Sequence, residues 1–390
     1  MDTDKDTGEP PRFAWNTRLF WDLVDFPYPH DRDLHRFYFH VRHAIAESSS
    51  VGRLSIHAYG EELTDRKMNT FYNARISLEY GPADKLERLN KMLVDMLEFA
   101  HITPRPDNVN LLIASKDMPD QDTELFDVME AMRMRGCRVF FVVPDDSQFP
   151  PRDSASLVWR WDVLLDGGSP TVTNTDSVSV SQGALKAVGK TGVFWDVDDF
   201  PFPQSGRGIR EIVKSIFKKQ YNETEVSIRV YGGEIQFTTE FLDMHRFTFV
   251  KRSDKYSRLN KMLLDIGLWV LDAPKHCPLP SNVVVAAKNI KEKTEYVRYL
   301  ENLNSVNFRV FVVVPDDVKP EEVNIPSVMR AWYWKDVQVL GKPIPRDEYR
   351  ALLARGERNE TLFNPDNCGK DADDGGEDAD DEACHRLIHY

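Results

Sequence analysis

The sequence predicts an α/β chain of two similar three-layer, Rossmann-like domains, each built on a mainly parallel five-stranded sheet. Three observations carry that prediction. At 390 residues the chain is long for one domain and suited to two, each able to bury its own core. Segments recur in the same order at offsets of 170 to 174 residues: "RLNKML" at Arg88 and Arg258, "RVFFVVPDD" at Arg138 against "RVFVVVPDD" at Arg309, "AYGEE" at Ala58 against "VYGGE" at Val230, and "FWD" at Phe20 and Phe194. Within each copy, short apolar runs alternate with segments of helical period, and such alternation implies parallel strands joined by covering helices.

In the first copy, strands are expected near residues 18–23, 53–59, 75–80, 109–114 and 138–143, and helices near 32–47, 63–72, 84–100 and 122–135. The runs "VNLLIA" and "VVVAA" are continuously apolar, as strands covered on both faces should be. The third helix has the clearest period: Leu86, Leu89, Met92, Leu93, Met96 and Leu97 form a stripe, with Arg88, Lys91 and Asp95 opposite. Arg258, Lys261 and Asp265 repeat that polar side, and Lys91–Asp95 and Lys261–Asp265 are spaced for i,i+4 pairing. The expected division is an unstructured 1–16, a domain over 17–168, a linker over 169–189, a domain over 190–345 and an acidic, unstructured tail over 346–390.

The net charge is −13, but residues 366–390 hold nine acids against Lys370 and Arg386, a net of −7. The remainder carries −6, an unpromising total for binding led by phosphate contacts. Local basic stretches at 133–138, 214–220 and 251–261 could line a groove, although a solvated helix face explains them as well. Cys137, Cys277, Cys368 and Cys384 have neither disulfide-framework nor zinc-site spacing. There is no apolar run of membrane-spanning length, no signal or transit pattern, and "IHY" is no peroxisomal address. An intracellular, cytoplasmic setting is expected, with nuclear or peroxisome-associated placement as alternatives. Walker, GxGxxG, HExxH and Ser-His-Asp patterns are missing, which removes motif support for nucleotide triphosphate, hydride-transfer, zincin and triad chemistry.

The candidate chemistry lies in "FWDLVDFPYP" at Phe20–Pro29 and "FWDVDDFPFP" at Phe194–Pro203. Asp22 and Asp196 end the first strand of each copy, at the sheet edge where ligands of open α/β folds collect. Asp25 and Asp199 follow on a proline-fixed loop. Carboxylates converging there could hold Mg²⁺ or Mn²⁺ and activate water. Asp117 in "SKDMPDQD" is the candidate from the fourth strand, where the second copy has Asn289. The "VVPDD" acids, Asp145, Asp146, Asp316 and Asp317, read better as a turn leading into a helix, and Trp159, Trp161, Trp332 and Trp334 as seals of the sheet edge. Asp196 and Asp198 also form a DxD, the pattern of haloacid-dehalogenase-type phosphatases, but Val24 breaks it in the first copy.

With those motifs the chain resembles the NYN domain of the PIN-like nuclease superfamily, in tandem, and within it the limkain-type (meiosis regulator and mRNA stability factor) group found among plant "putative endonuclease or glycosyl hydrolase" proteins. The resemblance covers roughly 17–165 and 190–340 and rests on "FWD…P.P", "YG", "LVDMLEFA", "LLIAS.D" and "MRMRG..V.FVVP". It implies a Mg²⁺- or Mn²⁺-dependent endoribonuclease acting in RNA metabolism, with single-stranded RNA or an RNA-regulatory protein as partner. By the same resemblance the site residues are Asp22, Asp25, Asp117 and Asp196, with metal held by Asp22, Asp117, Asp196 and Asp198. Several family positions differ. The family's Glu-Asn after Trp-Asp is Val24-Asp25 in one copy and Asp198-Asp199 in the other, and the helical Asp falls at Leu89 and Leu259. Asp117 alone keeps the acid after the fourth strand. A pseudonuclease that binds without cutting, with the second copy the more degenerate, is therefore the alternative expectation.

Overall fold

The computed structural model describes residues 15–46, 51–61, 64–103, 109–116, 124–146, 157–173, 190–202, 225–234, 242, 247–273, 280–290, 294–305, 308–318, 328–339 and 341–362. In the first repeat the order is β1 (Trp15–Asp22), α1 (Leu34–Ala46), β2 (Val51–Gly60), α2 (Asp65–Asn73), β3 (Ser77–Tyr80), α3 (Lys85–Ile102), β4 (Val109–Ala114), α4 (Glu124–Arg133) and β5 (Arg138–Val143). It closes with β6 (Leu157–Arg160), α5 (Trp161–Leu165) and β7 (Val172–Thr173). The second repeat runs β8 (Lys190–Asp196), β9 (Glu225–Gly232), β10 (Phe247–Lys251), α6 (Lys255–Leu271), β11 (Ser281–Ala286), α7 (Thr294–Ser305), β12 (Phe308–Val314), β13 (Arg330–Tyr333) and α8 (Trp334–Gln338). The basic stretch 214–220 lies outside the described residues.

The sheets are ordered β3-β2-β1-β4-β5-β6-β7 and β10-β9-β8-β11-β12-β13. Every pairing is parallel except β6 with β7. The expectation of five strands was short by two and by one. Leu157–Arg160 and Arg330–Tyr333 are too brief to show a period; they become strands because β5 and β12 offer an unpaired edge. Val172–Thr173, expected in the linker, pairs antiparallel with β6. The tryptophans expected to seal the sheet edge instead fill the outer cores: Trp159 and Trp332 are buried, and Trp161 packs at an angle against Trp21 and Phe26, as Trp334 does against Trp195 and Phe200, over the central strands.

Side chains alternate across each sheet. Leu19 and Trp21 face an outer core with α1 and α5, while Phe20 faces α3. The inner cores of both repeats are continuous, because α3 and α6 pack on each other as well as on their own sheets. That packing explains a departure from the helical stripe. Leu86, counted as core, is 56% exposed, whereas on the supposed polar side Arg88 is buried over Asp22 within its own repeat, and Lys91 and Asp95 are buried against Glu295 and Arg298 of the other. Gly267 permits the close approach: a Cβ there would sit 2.6 Å from Leu97 Cδ1.

Residues 346–362, expected to begin the tail, instead contain helix α9 (Arg346–Leu362). Tyr349, Leu352 and Leu353 share one side by i,i+3/i+4 spacing and pack on the core, and Asp347 and Glu348 suit the first turn. Among the described residues no helix is long and apolar enough to cross a membrane.

Candidate functional site

In each sheet the strand order reverses between the first and fourth strands, at β1/β4 and at β8/β11. The carboxyl ends of those strands form the crevice in which doubly wound folds place ligands. Asp22 ends β1 in register with Tyr59, and Asp196 ends β8 in register with Tyr231. Both predicted acids are therefore at the switch point.

The repeated motif folds into a self-bonded corner. Asp22 Oδ1 accepts from the Val24 amide at 2.9 Å, the Phe26 amide donates to the Asp22 carbonyl at 2.9 Å, and the Trp21 indole donates to the Phe26 carbonyl at 2.7 Å. The second repeat has the same three bonds, from Asp198 to Asp196 Oδ1 at 3.1 Å, Phe200 to Asp196 at 3.0 Å and Trp195 to Phe200 at 2.6 Å. Trp, Asp and Phe at these spacings thus close a turn over the end of the strand.

The remaining carboxylate oxygens meet cations. Arg88, from the first turn of α3, donates through Nε to Asp22 Oδ2 at 2.9 Å; the acid is 2% exposed and the guanidinium residue 1%. Arg88 Nη1 also donates to the carbonyls of Pro82 and Ala83, at 2.8 and 3.2 Å. Asp25 Oδ2 accepts from the Ser115 hydroxyl at 3.1 Å and the Lys116 amide at 2.8 Å, and Lys85 Nζ stands 3.4 Å from Oδ1. Burial pushes the Asp22 carboxyl above the ordinary carboxylate range, against the opposing pull of Arg88.

The second corner repeats this with more charge. Asp196, fully buried, receives Arg258 Nε at 3.0 Å and Lys255 Nζ at 3.1 Å on one oxygen. Lys255 also bonds Asp199, whose Oδ2 accepts the Lys288 amide at 2.7 Å. Asp198 is held by Arg258 Nη1 at 3.1 Å and by the Gly233 amide at 2.9 Å. Burial, and then the Asp196 charge, raises the Asp199 carboxyl.

These arrangements do not fit a hard dication. A metal needs oxygens with available lone pairs and surplus negative charge. Asp22 and Asp25 are matched by Lys85 and Arg88, and Lys255 and Arg258 leave one surplus charge among Asp196, Asp198 and Asp199. Leu259 is buried and Leu89 packs against the core, so α6 and α3 bring no carboxylate at the family's helical position. Among the described residues no group of three or more His, Cys, Asp or Glu side chains is placed to hold a metal. Asp117 lies outside the described residues. Asn289 adopts a left-handed φ of 58°, a conformation that asparagine tolerates in turns.

Arg88, Arg258, Lys85 and Lys255 were missed as partners of the motif acids. The unchanged "RLNKML" repeat contained both arginines, but only the fold brings residues 66 and 62 positions away onto Asp22 and Asp196. Other expectations resolve as ion pairs or caps. Lys91–Asp95 and Lys261–Asp265 are 3.7 and 3.1 Å apart, with Tyr59 and Tyr231 donating to the same aspartates. Asp145 and Asp316 accept from the first-turn amides of Asp162 and Lys335, capping α5 and α8. Within the basic stretches at 133–138 and 251–261, Arg135 pairs with Asp272, Arg138 lies over Trp15, and Arg252, Lys255 and Arg258 reach acids, while Lys251 is exposed.

Among solved structures, the chain is similar to proximal thread matrix protein 1 from the mussel byssus at 9% identity, covering 84% of this chain and 94% of that one with a TM-score of 0.26. A putative UDP-N-acetylglucosamine 2-epimerase from Listeria monocytogenes matches at 10% identity (90% of each chain, TM-score 0.23), and the epimerase from Neisseria meningitidis bound to UDP-GlcNAc at 9% (90% and 94%, TM-score 0.22). At these scores none carries a functional argument. No curated protein matches. The family comparison is decisive: the NYN domain model matches residues 16–156 and 190–329, most of the chain and one stretch per repeat. With two mainly parallel sheets whose first-strand acids stand at the switch point, the chain belongs to the NYN domain family, as a tandem of two PIN-like domains.

Proposed function

We propose that this protein is an RNA-binding pseudonuclease, a tandem NYN chain that holds single-stranded RNA without cutting it. The observation that carries the reading is the buried Asp22–Arg88 pair and its duplicate at Asp196, where Arg258 and Lys255 share one carboxylate oxygen. A carboxylate that already accepts hydrogen bonds from a buried guanidinium has little lone-pair capacity left for a metal, and removing the cation would strand a buried charge. The acids therefore serve as struts. Asp22 holds Arg88, and Arg88 in turn fixes the Pro82–Ala83 loop at the sheet edge. The haloacid-dehalogenase alternative meets the same obstacle, since a fully buried Asp196 cannot reach a substrate phosphorus.

NYN domains generally bind RNA, and the nuclease-like fold of both repeats supports a role in RNA regulation. The net charge of −13 and the internal use of the basic stretches argue that affinity comes from bases more than from phosphates.

The test incubates the full chain with labelled single-stranded RNA and Mg²⁺ or Mn²⁺, beside an Asp117→Ala variant, which leaves the buried Asp22–Arg88 pair intact. Retarded but intact RNA is expected for both proteins. Cleavage by the parent that the variant loses would overturn the reading and restore a nuclease in the first repeat.

A further inference from the structure

The contacts across the seam between the repeats come in matched sets. On one side of the α3/α6 crossing, Arg252 reaches Glu124 at 3.7 Å, and Lys261 draws on the same carboxylate. On the other side the corresponding residues are Pro82, Glu295 and Lys91, and Lys91 donates to Glu295 at 3.2 Å. Proline cannot reach as arginine does. Where the second repeat fills its side with a guanidinium, the first leaves a cavity of about 120 Å³. One water needs only ~10–15 Å³ of such space, so a ring system can enter.

Both repeats build the walls. Tyr80, Pro82 and Asn90 come from the first, and Tyr256, Leu263 and Glu295 from the second. Tyr80 is 59% exposed at the end of β3, beside the mouth. The Asn90 side-chain nitrogen is shielded from solvent and has no hydrogen-bond partner among the described residues. A buried donor without an acceptor costs roughly 1–3 kcal/mol, so an incoming acceptor would be rewarded. Aromatic surface, apolar walls and one unsatisfied amide are the features with which proteins take up a base displaced from a single strand.

We infer that this seam cavity receives one unstacked nucleobase of single-stranded RNA, with Tyr80 and Tyr256 offering stacking surface and Asn90 donating to an acceptor on the base edge. The inference rests on the RNA-binding reading above and adds where the base is held. It also gives the duplication a purpose, because neither repeat forms the cavity alone. Arg88 contributes at one remove, by anchoring the Pro82 carbonyl in the wall.

The test uses the full chain, a labelled oligoribonucleotide carrying 2-aminopurine, and three variants. Pro82→Arg copies the residue that the second repeat already accommodates and fills the cavity; Asn90→Leu removes the donor; Tyr80→Ala alters an exposed residue with little risk to folding. Each should weaken binding about tenfold and relieve the quenching of 2-aminopurine that the parent produces, with unchanged thermal melting. A parent that binds no RNA would overturn the RNA-binding reading and this site with it. A parent that binds RNA while all three variants bind and quench equally would overturn the site alone.

Discussion

Asp22 and Arg88 meet at 2.9 Å in the interior of the first repeat, and Asp196 and Arg258 meet at 3.0 Å in the second. The acids that mark the family's first strand are thus bound to cations supplied by the chain itself. Buried pairs of this kind are expensive to break from one side, because the survivor keeps its charge without solvent.

A double-mutant cycle measures that coupling. Arg88→Met and Asp22→Asn should each destabilise the protein by about 3–5 kcal/mol in chemical denaturation, and the double variant by less than the sum. Single variants within ~0.5 kcal/mol of the parent would show that the pair is not a strut.

Metal addition provides a second check. A ligand that binds only the folded state at 100 times its Kd adds about 2.7 kcal/mol and raises the melting temperature by several degrees. Millimolar Mg²⁺ or Mn²⁺ should leave the melting temperature of this protein unchanged. A saturable rise would mean that a dication displaces Lys85 or Arg88.

The seam depends on a missing side chain. Gly267→Val would bring new atoms into the space occupied by Leu97, whose Cδ1 lies 2.6 Å from the position of a Cβ. A loss of roughly 1–3 kcal/mol is expected, with partial recovery when Leu97→Ala is added. No recovery would place the strain elsewhere than between α3 and α6.

The start of α6 has a pH dependence of known sign. Asp254 accepts from the Ser257 and Tyr256 amides at 2.6 and 3.2 Å, and the bonds from Ser257 hold its carboxyl below the ordinary value of 3.8. A depressed carboxyl stabilises the fold above its unfolded value, and that contribution disappears as pH falls through the folded one. Asp254→Ala should therefore cost about 1 kcal/mol at neutral pH, and the difference from the parent should shrink as pH drops below 3.8. A constant difference across that range would exclude the carboxylate as the cap.

The sequence by itself determined the duplication, the α/β alternation and the placement of Asp22 and Asp196 at a strand end. Repeats and periodicity are local along the chain, and local patterns are readable without coordinates. Turn chemistry set Asp145 and Asp316 apart from the corner acids, but the helices they cap begin 16 and 18 residues further along, beyond an intervening strand, which only the tertiary structure shows. Only the tertiary structure decided what the corner acids do. Arg88 read as part of the polar side of its helix, with Lys91 and Asp95, and nothing local announces that Asp22 lies beneath it or that the second repeat supplies Glu295 and Arg298 to its neighbours. Leu86 erred in the opposite direction for the same reason. Strands β6 and β13 were invisible because four residues hold no period and their stability comes from an edge supplied by β5 and β12. The seam cavity is tertiary altogether, since it depends on Pro82 standing where Arg252 stands in the other repeat and on both repeats closing around the gap.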